Sequence, residues 1–333
     1  MVTDSRERVL SGMRPTGMLH LGNYLGALDN WVKLQEDYDC FFFVANWHML
    51  TTDAADSAAA GGYTVEMAAD WLGAGLDPER STLFIQSLVP EHALLHLLLS
   101  MVTPLGWLER VPTFKEMVEQ LGLESPSYGL LGYPLLQAAD ILMYKPQWVP
   151  VGVDQVPHVE LTREVARRFN STWKRPVFPE PGAKLTRIPK VPGTDGRKMS
   201  KSLGNAILLS DTPEEITAKV KPMVTDPARK RRSDPGNPEI CPVFDLHKIF
   251  TPDADRGDVA TGCRTAGIGC LDCKAVLLRH MIPPLAKIRE ARERFAARPR
   301  AIVEILYEGS RRARAFAQKT MDEVRSVINL EPK

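Results

Sequence analysis

The chain has 333 residues, with 42 Lys and Arg against 41 Asp and Glu, a formal net charge of +1, and 44% hydrophobic and 25% charged residues. That length supports a sizeable core and two domains, and the balanced charge excludes a global field that would draw in DNA or a membrane surface. The opening MVTDSRERVL lacks the apolar stretch of a signal peptide, runs such as ALLHLLLSMV are too short to cross a bilayer, and five cysteines do not make a disulfide framework, so a cytoplasmic protein is expected.

In chain order, RVLSGM reads as a strand, after which Leu25, Leu28, Val32 and Gln35 follow helical spacing. CFFFVA is a continuous apolar run, as in a parallel strand buried on both faces. DAADSAAAGG is a linker or helix start, VEMAADWLGAG a helix and STLFIQS a strand, and helices follow from Glu91 to about Gly122. PLLQAADILMY is helical, with Pro134 expected in the first turn because Tyr133, preceding a proline, avoids helix. WVPVG is a strand and QVPHVELTREVARRF a helix. This alternation predicts an α/β protein with a Rossmann-like, doubly wound parallel sheet. RPVFPEPGAKLTRIPKVPGTDG is dense in proline and glycine and reads as a loop and domain edge. Beyond Leu208 strand signals fade; DTPEEITAKVKPMV opens with a helix start, and from Lys274 the pattern is helical and rich in arginine. The expected division is 1–205 for the sheet domain and 206–333 for a C-terminal, mostly helical domain.

RPTGMLHLGNYLGAL places Thr16, Gly17, His20, Gly22 and Asn23 in a narrow turn between the first strand and the first helix. Such a turn exposes unpaired N–H groups at a positive dipole end and suits phosphate. Neither familiar phosphate-loop spacing is present. Far downstream, GRKMSKSLGN carries Lys198, Lys201 and two serines, Ser200 and Ser202, in a glycine-flanked loop. Lysines there can close on a triphosphate and neutralise charge as pyrophosphate leaves. Between the two, Gln137 and Asp140 are three apart and share a helix face with Tyr133 at its edge. A carboxylate on so apolar a helix needs a partner.

The HLGN turn and the KMSKS loop together resemble the paired signature of class I aminoacyl-tRNA synthetases. The stretch GYPLLQAADILMYKPQWVPVGVDQVPHVELTRE is similar to tryptophanyl-tRNA synthetases, and the likeness runs from Val9 to about Ser202, more weakly beyond. The resemblance implies that Arg14, Thr16, His20, Gly22, Asn23, Gly152, Asp154, Gln155, Lys198, Met199, Ser200 and Lys201 bind ATP. In the same reading His20, Asn23, Lys115, Lys198, Lys201 and Ser202 assist the chemistry. Gly12, Met13, His48, Tyr133, Gln137, Asp140, Val149, Val151 and Gln155 would hold L-tryptophan, with Asp140 receiving the indole N–H. The implied reaction is adenylation of tryptophan by ATP with Mg²⁺, then transfer to tRNA(Trp), by a homodimer joined through helices within about 91–132. A buried acceptor rejects analogues without the N–H by roughly 10⁴–10⁵, so no editing domain is required. Some positions depart from the better-known bacterial pattern: Arg14 for glutamine, Gln137 for methionine, Val153 for glutamate and Leu10 for phenylalanine.

Cys241, Cys263, Cys270 and Cys273 give C-x21-C-x6-C-x2-C, while Cys40 stands apart in a core strand. The spacing leaves Zn²⁺ and a [4Fe–4S] cluster open. Some tryptophanyl-tRNA synthetases carry the cluster on a similar pattern, so the resemblance implies iron–sulfur with a structural role. Arg229, Lys230, Arg231, Arg232, Arg311, Arg312 and Arg314 are candidate RNA-phosphate contacts. Competing readings are a tyrosyl-tRNA synthetase, since Tyr133, Gln137 and Asp140 resemble its hydroxyl clamp, a free-standing nucleotidylyltransferase, and a non-catalytic RNA-binding relative.

Overall fold

The apolar runs of the N-terminal half assemble into one parallel sheet. The computed structural model describes residues 6–120, 122, 124–185 and 191–330. In chain order it contains β1 (Arg8–Met13), α1 (Leu21–Asn23), a π-helical turn (Tyr24–Leu28), α2 (Asp29–Leu34), β2 (Asp39–Val44), α3 (Asn46–Asp53), α4 (Ala60–Ala74) and β3 (Ser81–Ile85). Next come α5 (Glu91–Ser100), α6 (Leu105–Glu109), α7 (Pro112–Gln120), α8 (Tyr128–Tyr144), β4 (Trp148–Val151), α9 (Val156–Trp173) and β5 (Gly182–Leu185). The rest is α10 (Pro213–Val220), α11 (Pro242–Phe250), α12 (Asp253–Arg264), α13 (Cys270–Ala296) and α14 (Pro299–Ile328).

The strand order is β3-β2-β1-β4-β5, with Val9 paired to Cys40 on one side and to Trp148 on the other. The chain winds outward from β1 through β2 and β3, then returns to β4 on the opposite side. That reversal leaves a crevice at the carboxyl ends of β1 and β4, where doubly wound sheets bind ligands. Alternate strand residues feed two cores. Val9, Phe42, Val44 and Leu83 pack with α2, α4 and α13. Leu10, Phe41, Phe43 and Phe84 pack with α5, α8 and α9.

The C-terminal region is helical, and its last two helices share these cores. Leu277, Met281 and Leu285 of α13 join the first, while Ala313, Ala317, Met321 and Val324 of α14 join the second. Helix α14 runs against edge strand β3 so closely that a Cβ on Gly309 would strike the Leu83 carbonyl. Ser310 Oγ accepts from the Ile85 amide at 3.1 Å, covering an edge that would otherwise present unpaired groups.

Two local readings change. Pro134 lies inside α8, not in its first turn. The helix starts earlier, at a cap where Ser127 Oγ accepts the Leu130 amide at 3.1 Å. Burial of Leu130, Leu135, Ala138, Ala139 and Leu142 outweighs the hydrogen bond that the proline forfeits. Strand β5 occupies part of the stretch read as loop, of which 186–190 lie outside the described residues. No helix among the described residues is long and apolar enough to cross a membrane.

Candidate active site

The crevice at the switch point is a cavity of about 480 Å³, within the usual range for a small-molecule site. Gly12 comes from the end of β1 and Arg14 from just beyond it, Val149 and Val151 from β4, and Gly152 and Gln155 from the turn after it. His48 enters from α3, and Tyr133, Gln137 and Asp140 from one face of α8. Met13 is not among the lining residues.

Asp140 is fully buried. Its Oδ1 accepts from His92 Nδ1 at 2.5 Å and Gln86 Nε2 at 3.0 Å; its Oδ2 accepts from Gln86 Nε2 at 2.8 Å and His48 Nε2 at 2.8 Å. Burial pushes this carboxyl up, but the charge of His92 and hydrogen bonds from His48 and His92 outweigh it and hold its pKa down to about 2. Asp140 is therefore an ionised acceptor at neutral pH. Behind it, His92 Nε2 meets the Tyr144 hydroxyl at 2.8 Å. Of these partners, His48 lines the cavity alongside Asp140 itself.

A second polar chain lines the same cavity. Thr113 Oγ1 lies 2.5 Å from the Tyr133 hydroxyl and 2.8 Å from His158 Nε2. Burial lowers the His158 pKa to about 4, with His48 adding to the effect, so this imidazole is neutral at pH 7. Gln86, His92, Thr113, Tyr144 and His158 carry no local sequence signature; they meet Asp140 and Tyr133 only through tertiary packing.

The glycine–histidine turn stands at the start of the helix that forms the opposite wall. His20 caps α1 reciprocally: its Nδ1 accepts the Asn23 amide at 3.3 Å, and Asn23 Oδ1 accepts the His20 amide at 3.1 Å. Since Nδ1 is an acceptor, the ring proton sits on Nε2 and is free to donate outward. Burial lowers the His20 pKa to about 4, and Lys201 and Lys198 lower it further in the same sense. At Gly22 a Cβ would lie 2.9 Å from the His20 ring, so the turn needs glycine. The π-helical turn then rephases the helix, and Gly26, Ala27 and Asn30 face the cavity.

The downstream lysine loop folds onto this turn. Lys201 Nζ donates to the Thr16 carbonyl and, at 3.0 Å, to the Met18 carbonyl. The chain beyond the loop continues the contact, as the Leu21 amide donates to Ile207 at 2.8 Å and the Leu209 amide to Leu19 at 3.0 Å. Buried Asn205 organises the loop by accepting the Ser200 amide at 2.8 Å and donating to Asp195 at 2.7 Å. Met199 is buried, whereas Lys198 and Ser202 are exposed. Lys115 is exposed on α7 and is not among the cavity lining, and Asp154 is an exposed residue bonded to the Gln155 side chain at 2.9 Å.

Cys241 caps α11, Cys263 ends α12, and Cys270 and Cys273 open α13. Burial pushes the Cys273 thiol up to about 12, and its Sγ lies 3.3 Å from His247 Nε2. Among the described residues, however, no three His, Cys, Asp or Glu side chains form a group that could hold a metal ion. Several arginines read as RNA contacts are engaged within the chain. Arg229 is buried, donating to the Ile268 carbonyl at 2.6 Å. Arg312 donates to the Pro78 carbonyl at 2.8 Å, Arg314 pairs with Glu91 at 3.0 Å and Arg311 pairs with Glu308.

Comparison with known proteins bears on the whole chain. The family model for tRNA synthetases class I (W and Y) matches residues 3–283. The chain is 53% identical to the tryptophan–tRNA ligase of Thermotoga maritima, over 97% of this chain and 99% of that protein. It is 45% identical to that of Aquifex aeolicus, over 97% and 100%. The tryptophanyl-tRNA synthetase of Campylobacter jejuni, crystallised with ADP and tryptophan, superposes with a TM-score of 0.85 at 35% identity, covering 97% of this chain and 100% of that one. The chain belongs to the class I tryptophanyl-tRNA synthetase family.

Proposed function

We propose that this chain activates L-tryptophan with ATP and transfers it to tRNA(Trp) in the cytoplasm. The observation that carries the reading is that one helical segment serves both halves of the site. His20 and Asn23 stand at its start beside Lys201, and Gly26, Ala27 and Asn30 line the wall facing Asp140. The indole ring fills the cavity with its N–H toward Asp140, and Tyr133 and Gln155 receive the ammonium group. The tryptophan carboxylate attacks the α-phosphorus of ATP, and pyrophosphate leaves. His20 Nε2–H, the amides of the turn, Lys198 and Lys201 counter the charge on the phosphates. A terminal ribose hydroxyl of the tRNA then attacks the adenylate carbonyl, and AMP leaves. Positioning and charge suffice, and no protein nucleophile is needed. Mg²⁺ arrives on the triphosphate, where phosphate oxygens and water supply most of its ligands.

Two finer readings belong with this proposal. Leu97, Met101, Leu105 and Tyr128 are large apolar residues exposed within 91–132, which supports a homodimer built on that face. Cys241, Cys263, Cys270 and Cys273 would hold a [4Fe–4S] cluster. Four soft donors at the ends of α11, α12 and α13 support it, as do two helix N-termini that favour a group of net negative charge. Bound there, the cluster would supply a structural cross-link. Anaerobic purification tests this: broad visible absorbance with matched iron and sulfide supports the cluster, and a colourless protein with one zinc overturns it.

ATP–pyrophosphate exchange across the amino acids, followed by tRNA charging, tests the whole reading. Exchange with tryptophan alone and charging of tRNA(Trp) are expected. Exchange with tyrosine indicates the tyrosyl enzyme, and exchange with no amino acid overturns the assignment.

A further inference from the structure

Asp70 is fully buried in α4 and has no part in the chemistry above. Its Oδ2 accepts the backbone amide of Leu19 at 2.6 Å, and its Oδ1 accepts Arg292 Nε of α13 at 2.7 Å. The other end of that guanidinium pairs with Glu66, one turn back on α4. Leu19 immediately precedes His20, and its carbonyl takes the Leu209 amide at 3.0 Å. Leu19, the residue entering the ATP turn, is thus fixed at both its backbone N–H and its carbonyl, from α4 on one side and from the segment after the lysine loop on the other. Helices α4 and α13 meet here without slack, since a Cβ on Gly73 would lie 2.8 Å from the Arg292 Cα. A buried ion pair of this kind gains little stability over an apolar pair of the same volume. Its value therefore lies in where it aims the second carboxylate oxygen.

We propose that Asp70, held in place by Arg292, is a positioning residue for the ATP turn, and that α13 of the C-terminal region thereby sets the orientation of His20. The Leu19 amide accounts for the carboxylate, and the carboxylate accounts for the arginine. Burial lowers the Lys201 pKa in the lysine loop, and the Asp70 charge opposes that shift.

The inference rests on His20 as an ATP contact, and the test keeps the two apart. Two double variants both remove the ion pair. Asp70→Asn with Arg292→Leu keeps an oxygen for the Leu19 amide, whereas Asp70→Leu with Arg292→Leu removes it. ATP–pyrophosphate exchange is measured for both at saturating tryptophan, with tryptophan affinity by equilibrium dialysis and the thermal midpoint as controls. The Asn variant should keep kcat/KM for ATP within about threefold of the parent, and the Leu variant should lose about tenfold or more, with tryptophan affinity unchanged in both. A purely structural role predicts that ATP kinetics track the thermal midpoint and not the acceptor, and that result overturns the proposal. Asp70→Glu guards against misfolding of the Leu pair: it keeps the charge and the arginine but moves the oxygens by one methylene. It should raise KM for ATP, and unchanged ATP kinetics count against the proposal. His20→Ala is the reference. If it leaves ATP kinetics intact, the reading of the turn has failed, independently of Asp70.

Discussion

The two ends of the site are built differently. At the end proposed for indole, the side chain available for recognition has both oxygens engaged: Asp140 is fully buried and held by His48, His92 and Gln86. At the end proposed for ATP, the groups available to a ligand are backbone amides, one neutral imidazole and lysines that remain partly exposed. The first arrangement is stiff and expensive to disturb, as suits discrimination between ligands of similar shape. The second closes over a flexible polyanion whose charge changes during the reaction. Selectivity should therefore fail abruptly when the indole end is altered, and catalytic rate should fail when the ATP end is altered.

The largest effect expected is at Asp140. Asp140→Ala strands buried donors, and we expect kcat/KM for tryptophan to fall by about 10³ or more in pyrophosphate exchange, with about 3 kcal/mol of stability lost in urea titrations. ATP binding should survive. Next, Lys201→Ala should lower kcat by about 10² with little change in tryptophan affinity, since its charge matters most as pyrophosphate leaves. Equal losses in tryptophan affinity and rate for both variants would erase the distinction between the two ends.

Acid separates the ends as well. His20 and His158 have folded pKa values of about 4 against an ordinary 6.5, so the unfolded chain binds more protons between those values. Stability should therefore fall as pH drops from 6.5 toward 4. Asp70, raised by burial to about 6 from an ordinary 3.8, acts in the opposite sense over part of that window. Asp140, held near 2, contributes stability above its ordinary 3.8 that is lost as pH falls toward 2. Replacing His20 by Asn should flatten the upper part of the pH–stability curve and leave the Asp140 limb below 3.8 in place. The smallest effect expected is at Thr113→Val, which breaks the chain joining Tyr133 to His158. KM for tryptophan should rise about fivefold, the equivalent of one hydrogen bond of about 1 kcal/mol, with kcat unchanged.

What the sequence made legible follows the same line. Strands β1 to β4 were readable because buried parallel strands are written as continuous apolar runs. Strand β5, GAKL, was not, because an edge strand of four half-buried or exposed residues has no such run. The turn and the lysine loop were readable because each is a local motif. Their meeting through Lys201, Thr16 and Met18 could only be inferred from the pairing of motifs. Gln86 and His92 gave no signal, because what singles them out is their contact with Asp140, a residue some fifty positions away. The arginines of α14 were not decided by sequence, because charge on a helix does not say whether its partner is an RNA phosphate or, as for Arg314, a glutamate of the same chain.

The central claim is that Asp140 reads the indole nitrogen while the turn and the lysine loop grip the same nucleotide. A crystal structure with a non-hydrolysable tryptophanyl-adenylate analogue tests it directly. The account predicts the indole N–H on an Asp140 oxygen, with His48 displaced from it, and the ligand's phosphate mimic beside the His20 turn. An indole bonded to another acceptor, or an adenylate lying away from His20 and Lys201, would contradict it.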